Sequence, residues 1–194
     1  MRKNVIITIT LGVVLGLFTS FGQTYLPDPF TQLANSYSVW LLFAFICGLF
    51  MSRFRWALLS GAVVQYVALA TYYSLLHIRF SDGSFNISSN VIWLIGGTLV
   101  GPLASLAGKL YSVRSKWSVY ALSFIVGLIL SESLYQFIRL KYVGEGLVFL
   151  VLSLAVAAVL LWDYQSRVKV ILPTIIVTAT TYISYAYIVT AIFN

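Results

Sequence analysis

Residues 117–139 read WSVYALSFIVGLILSESLYQFIR, an apolar stretch in which Glu132 is the sole charge before Arg139. A bilayer core takes about 20 apolar helical residues, within a range of about 17–25. The charge-free run 117–131 and the apolar pattern continuing to Ile138 fill that length. The stretch therefore predicts a spanning helix with a carboxylate inside it. Working outward, the charge-free runs are 4–27, 29–52, 56–78, 83–108, 117–131, 146–162 and 170–194, with lengths of 24, 24, 23, 26, 15, 17 and 25. They predict seven spans near 5–23, 30–51, 56–77, 89–108, 117–138, 146–162 and 170–192. The fold expected is all-α, a polytopic transmembrane helix bundle forming one integral membrane domain over 1–194.

Composition agrees with a bilayer as the solvent. Only 9% of the 194 residues are charged and 60% are apolar, with a mean hydropathy of +0.95. A soluble domain carries roughly a quarter charged residues. The net charge of +7 would suggest nucleic acid in a soluble protein, but here the basic residues sort by loop, which argues against a nucleic-acid partner. Seven spans put Arg2, Lys3, Arg53, Arg55, Lys109, Arg114, Lys116, Arg167 and Lys169 on one side, and Arg79, Arg139 and Lys141 on the other. Basic loops stay in the cytoplasm, so this division predicts the amino terminus inside and the carboxyl terminus outside a bacterial inner membrane. The basic start followed by an apolar run also suits a signal peptide, whose apolar region has about 7–15 residues. Residues 5–22 are apolar for longer than that and end in Phe21-Gly22-Gln23, which reads as an uncleaved first helix. The lone Cys47 falls inside the second span and reads as a small packing residue.

The connections are short. Asp28-Pro29 reads as a helix start, because Asp caps free N–H groups and Pro suits the first turn. Ser81-Asp82-Gly83-Ser84 reads as a turn, and Asn86-Ile87-Ser88 matches a glycosylation sequon only weakly. Small residues four apart let helix backbones approach closely in lipid. Gly12/Gly16 and Gly97/Gly101 are such pairs, with Ala104/Gly108 extending the second seam and Ser105 on the Gly97/Gly101 line. These seams suit internal packing, or a docking face for a partner subunit or a second copy. Gly101-Pro102 inside the fourth span predicts a kink.

Glu132 requires the most explanation, since a charge at mid-bilayer costs about 2.5–3.5 kcal/mol on insertion scales. Tyr135, Gln136 and Arg139 follow at i+3, i+4 and i+7 and share its face. Two readings stay open: a ligand or cation site open to the outside, or a carboxyl group stabilised by neighbouring hydroxyls and amides. Other helices carry polar stripes at matching depth. Gln65, Tyr66, Tyr72, Tyr73 and His77 line the third span, and Thr174, Thr178, Thr181, Tyr182 and Tyr185 line the seventh. Asn90 and Trp93 fall near the outer side and Trp40 near mid-depth. Together these side chains suit an aromatic, weakly acidic outward pocket that holds a small organic or cationic solute by stacking and hydrogen bonds. Interfacial aromatic belts and Thr side chains bonded to their own helix give the same pattern without any ligand.

No H-E-x-x-H, G-x-S-x-G, Walker loop or Cys/His cluster occurs in the sequence. The expectation is a protein without catalytic residues, metal or cofactor. A retinal protein is excluded, because the expected orientation is reversed and the seventh span has no internal Lys.

Leu15-Gly16-Leu17-Phe18-Thr19-Ser20, Leu33-Ala34-Asn35-Ser36-Tyr37-Ser38-Val39-Trp40 with Gly48, Tyr72-Tyr73, Gly101-Pro102 and Glu132-Ser133-Leu134-Tyr135 resemble a family of small bacterial multi-pass membrane proteins classed as a domain of unknown function. The resemblance spans nearly the whole chain and implies that Asn35-Ser36, Trp40, Tyr73 and Glu132 recur as landmarks without an assigned role. A weaker resemblance is to the substrate-binding subunits of energy-coupling-factor importers, which bind a vitamin-like solute near the outer face and dock a partner through small residues on the first helix. Those subunits have six spans, against the seven read here.

The function expected is binding or transport of a small solute through an outward pocket around Glu132, Gln136, Tyr73, Gln65 and Tyr182. The alternative is a non-catalytic accessory or scaffold subunit that docks a partner membrane protein, with a lipid-modifying enzyme a distant third.

Overall fold

The computed structural model describes residues 2–80, 93–162 and 167–193. The turn at 81–84, the sequon and Asn90 lie outside these residues. Eight α-helices occur among those described: α1 (Arg2–Tyr25), α2 (Thr31–Ala34), α3 (Tyr37–Phe50), α4 (Phe54–Phe80), α5 (Gly101–Ser112), α6 (Ser118–Tyr135), α7 (Val143–Leu161) and α8 (Ile171–Phe193). No strand occurs among them. A π turn at Gly96–Val100 leads into α5, another at Gln136–Leu140 extends α6, and a short 3-10 turn at Arg167–Val170 precedes α8. Among the described residues, five helical segments are long and apolar enough to cross a membrane: Arg2–Tyr25, Phe54–Arg79, Trp93–Ser112, Ser118–Leu140 and Val143–Leu161.

Two local expectations change. The helix expected over 30–51 is broken into α2 and α3 at Asn35-Ser36. Ser36 is extended (φ −89°, ψ 131°), and its Oγ accepts the Val39 N–H at 3.2 Å. A Ser hydroxyl that caps a free N–H starts a new helix rather than continuing the old one. The 14-residue α3 consequently rises only about 21 Å. The helix start placed at Asp28-Pro29 is instead a turn, and α2 begins at Thr31 behind Phe30 with no side-chain cap. The kink expected at Gly101-Pro102 takes the form of the π turn just before it. Pro102 has no N–H to donate, and a widened turn accommodates the lost bond.

Glycines set the helix contacts. A Cβ on Gly12 would lie 2.7 Å from Val67 Cβ, and one on Gly16 2.6 Å from Ala68 O, so both face α4. Gly101 approaches Gly61 and Gln65 of α4, and Gly97 approaches Gln65. Gly48 and Gly108 bring α3 and α5 together backbone to backbone. Gly127 of α6 meets Val177 of α8. The Gly12/Gly16 and Gly97/Gly101 pairs thus lie against α4, inside the bundle, whereas Gly108, at the end of the second seam, lies against α3. The central helix is α6, which packs on α3, α5, α7 and α8.

Hydrogen bonds between elements define two ends. At one, Asn4 Nδ2 donates to Ser52 Oγ at 3.0 Å, Tyr111 OH donates to Leu160 O, and Ser123 Oγ donates to Val170 O at 3.2 Å. At the other, Tyr72 OH donates to Gln23 Oε1 at 2.8 Å, Ser133 Oγ donates to Gly146 O at 2.8 Å, and the Tyr37 and Ser131 hydroxyls pair at 2.9 Å. Arg2, Lys3, Arg53, Arg55, Lys109, Arg114, Lys116 and Lys169 belong to the first end. Arg79, Arg139 and Lys141 belong to the second.

Candidate functional site

The break between α2 and α3 is where Glu132 is used. The carboxylate is only 5% exposed. Its Oε2 accepts from Ser36 Oγ at 2.6 Å and from the Ser38 N–H at 3.2 Å. The Ser36 and Ser38 hydroxyls pair at 3.0 Å. The first N–H groups of a helix lack intrahelical acceptors and carry partial positive charge. A carboxyl group supplied by α6 therefore caps α3 from 96 residues away in sequence. This geometry matches the reading in which Glu132 is stabilised by hydroxyls and amides.

One turn further on, Gln136 is also buried, and its Oε1 has no hydrogen-bond partner among the described residues. Tyr135 is buried beside it. Gln65 is buried and donates from Nε2 to the Trp40 carbonyl at 2.9 Å, which ties α4 to α3. Trp40 packs on Trp93 with ring centroids 4.8 Å apart, and its Nε1 is buried without a partner among the described residues. Leu15, Ala68 and Leu69 complete this cluster, with Tyr73 and Leu94 packed against it.

In front of the cluster lies a groove of about 390 Å³, lined by Tyr66, Leu69, Ala70, Tyr73, Ser74 and Leu94. Tyr66 is exposed, and its hydroxyl pairs with that of Thr98. Tyr73 meets the Tyr72 ring edge-on at 5.1 Å. The candidate residues thus fall into two groups. Tyr66 and Tyr73 line the groove, with Trp40, Trp93 and Gln65 packed behind or beside it. Glu132, Tyr135 and Gln136 stand at the α3–α6 joint.

The seventh-span stripe joins neither group. No hydrogen bond or ring contact among the described residues links Tyr182 to them, and the side chain of Tyr185 lies outside those described. Thr174 and Thr178 donate to the carbonyls four residues earlier, of Val170 just before α8 and of Thr174 within it. Among the described residues no His, Cys, Asp and Glu cluster suits a metal. Sequence reasoning did not find Ser36 and Ser38 as partners of Glu132, nor Leu69, Ala70, Ser74 and Leu94 as groove walls. The signal for the serines was present: Asn35-Ser36 interrupts an apolar run at a spacing that suits a cap.

A bundle of long apolar helices, held by glycine contacts and one buried carboxyl cap, defines the class as a helical membrane protein. Within that class the chain belongs to a family of unknown function (DUF6518), whose model matches residues 1–191. No curated protein and no solved structure matches it. These comparisons add nothing to the likeness to importer subunits.

Proposed function

We propose that the chain is a seven-span protein of the bacterial inner membrane that binds a small, largely apolar solute in the groove beside α4 and catalyses no reaction on it. The observation that carries this reading is the groove itself. Its volume of about 390 Å³ falls within the roughly 300–1,000 Å³ typical of small-molecule sites. Tyr66 and Tyr73 offer ring faces, and their hydroxyls and that of Ser74 orient a polar tip. Glu132 is not part of the site in this reading, because its carboxyl group already accepts two hydrogen bonds at the head of α3. A partner-docking role has less support, since Gly12, Gly16, Gly97 and Gly101 all face α4.

Native mass spectra of the detergent-purified protein are expected to show a retained small molecule. Its affinity should fall about ten-fold or more in Tyr73→Ala, because burial of an aromatic side chain is worth about 1.5–3 kcal/mol. A wild-type protein without an adduct, or an adduct indifferent to Tyr73→Ala, would sink the proposal.

The division of basic residues between the two bundle ends supports an amino terminus inside and a carboxyl terminus outside. A periplasm-only reporter fused after Asn194 should be active. An inactive fusion, with the same reporter active in the loop after α4, rules out the seven-span orientation.

A further inference from the structure

At the basic end of the bundle a second groove runs between α1 and α4. Its walls are Val5 and Ile9 of α1 and Leu59 and Val63 of α4, each between 43% and 58% exposed. On the outer surface of a membrane bundle, such side chains face hydrocarbon. The enclosed space is about 130 Å³, too small for a solute of the usual pocket size but able to take a section of one extended hydrocarbon chain. Asn4 and Trp56 also line it. The Asn4–Ser52 hydrogen bond holds the start of α1 against the connection into α4. Arg2, Lys3, Arg53 and Arg55 flank Asn4, Ser52 and Trp56 within two residues in sequence, and all four are exposed. No Asp or Glu occurs in residues 1–27 or 29–81, the stretches that carry these cations.

An apolar furrow open to the side, next to four exposed cations and an interfacial indole, matches an anionic phospholipid. Its acyl chain would lie along the furrow and its phosphate among the cations. Basic residues next to a membrane surface attract anionic headgroups, and Trp favours the headgroup level. A zwitterionic lipid gains no net charge attraction there. We propose that the α1–α4 groove is a binding site for an anionic phospholipid of the leaflet that the basic end faces.

The full-length protein in mild detergent, titrated with phosphatidylglycerol or phosphatidylcholine and read by native mass spectrometry, tests this. Phosphatidylglycerol is expected to be retained in preference, with one molecule outlasting the others as collision energy rises. The exposed double variant Arg53→Gln/Arg55→Gln should weaken that molecule about ten-fold or more. Lys116→Gln, at the same end but outside the groove, should leave it unchanged. Val63→Trp, which fills the furrow and keeps every cation, should also displace it. Equal retention of the two lipids, or retention unaffected by the double variant, overturns the proposal. If Val63→Trp binds phosphatidylglycerol as well as wild type does, or inorganic phosphate alone displaces the lipid, the cations hold only a headgroup and the acyl-chain site is wrong. Circular dichroism and thermal unfolding of each variant show that lost binding is not lost folding.

Discussion

Glu132→Ala is expected to lower the stability of the detergent-solubilised protein by about 2–4 kcal/mol, whereas Glu132→Gln should cost about 1 kcal/mol or less. The Ala variant removes the acceptor for Ser36 Oγ and the Ser38 N–H. An intramolecular hydrogen bond contributes about 0.5–1.5 kcal/mol, and a buried donor left unpaired costs about 1–3 kcal/mol. Ser36 retains its neighbour Ser38 Oγ, which limits the loss, but the Ser38 N–H has no such alternative. Gln keeps a carbonyl oxygen where Oε2 stands and so keeps the cap. Denaturant titration followed by helical signal measures the global effect. Amide exchange at Ser38 and Val39 measures the local one and should accelerate in Ala but not in Gln. This pair of variants also separates a cap from a binding charge: a ligand-holding carboxylate would lose binding in Gln with stability unchanged. An Ala variant as stable as wild type would remove the capping role.

The parts of the fold legible in the sequence were those set by solvent. A run of about 20 residues without a charge is forced into a helix, because unpaired backbone groups are not tolerated in hydrocarbon. The ends of α1, α4, α6 and α7 accordingly fall within about three residues of the spans expected from the charge pattern. What stayed hidden was set by contacts between distant segments. Asn35-Ser36 carries no charge, so the charge pattern runs one span across 30–51 and does not mark the interruption between α2 and α3. Its meaning depends on Glu132, which reaches it only once α6 packs on α3. The residues expected in a single outward pocket around Glu132 stand in separate groups for a similar reason. Gln65 and Tyr66 are neighbours in sequence but point to different surroundings: Gln65 binds the Trp40 carbonyl, while Tyr66 lines the groove. Spacing identified a polar stripe on α4, but it did not say which members would be used in packing. Gly48 shows the limit most sharply. As a lone glycine in an apolar run it formed no seam, yet it makes the closest approach of any glycine to a neighbouring helix among the described residues.

That approach carries the second large expectation. Gly108→Ala should destabilise the protein by about 3 kcal/mol or more, with Gly48→Ala similar and Gly97→Ala far milder. In an unobstructed helix a Gly→Ala change stabilises by up to about 1 kcal/mol, so the sign of the effect reports the contact. A Cβ on Gly108 would stand 1.9 Å from Phe45 O, and one on Gly48 would stand 1.8 Å from Ser105 O. Both obstacles are backbone carbonyls within helices, which cannot rotate aside, so α3 and α5 must separate by an ångström or more. Overpacking of this kind costs about 1–3 kcal/mol even where side chains can adjust. Here the separation also strains the contact between the Ser60 and Ser105 hydroxyls, 3.2 Å apart, and loosens the cluster around Phe45 and Ala104. On Gly97 the added methyl meets only the Gln65 side chain, at 3.0 Å, and a few tenths of an ångström of movement relieves it. Thermal unfolding of the three variants in one detergent should rank Gly97→Ala well above the other two. The consequence reaches the groove, because α3 also carries Trp40, whose ring supports Trp93 behind it. If Gly108→Ala unfolds with the wild type, α3 does not lie in backbone contact with α5, and the position of Trp40 loses its structural basis.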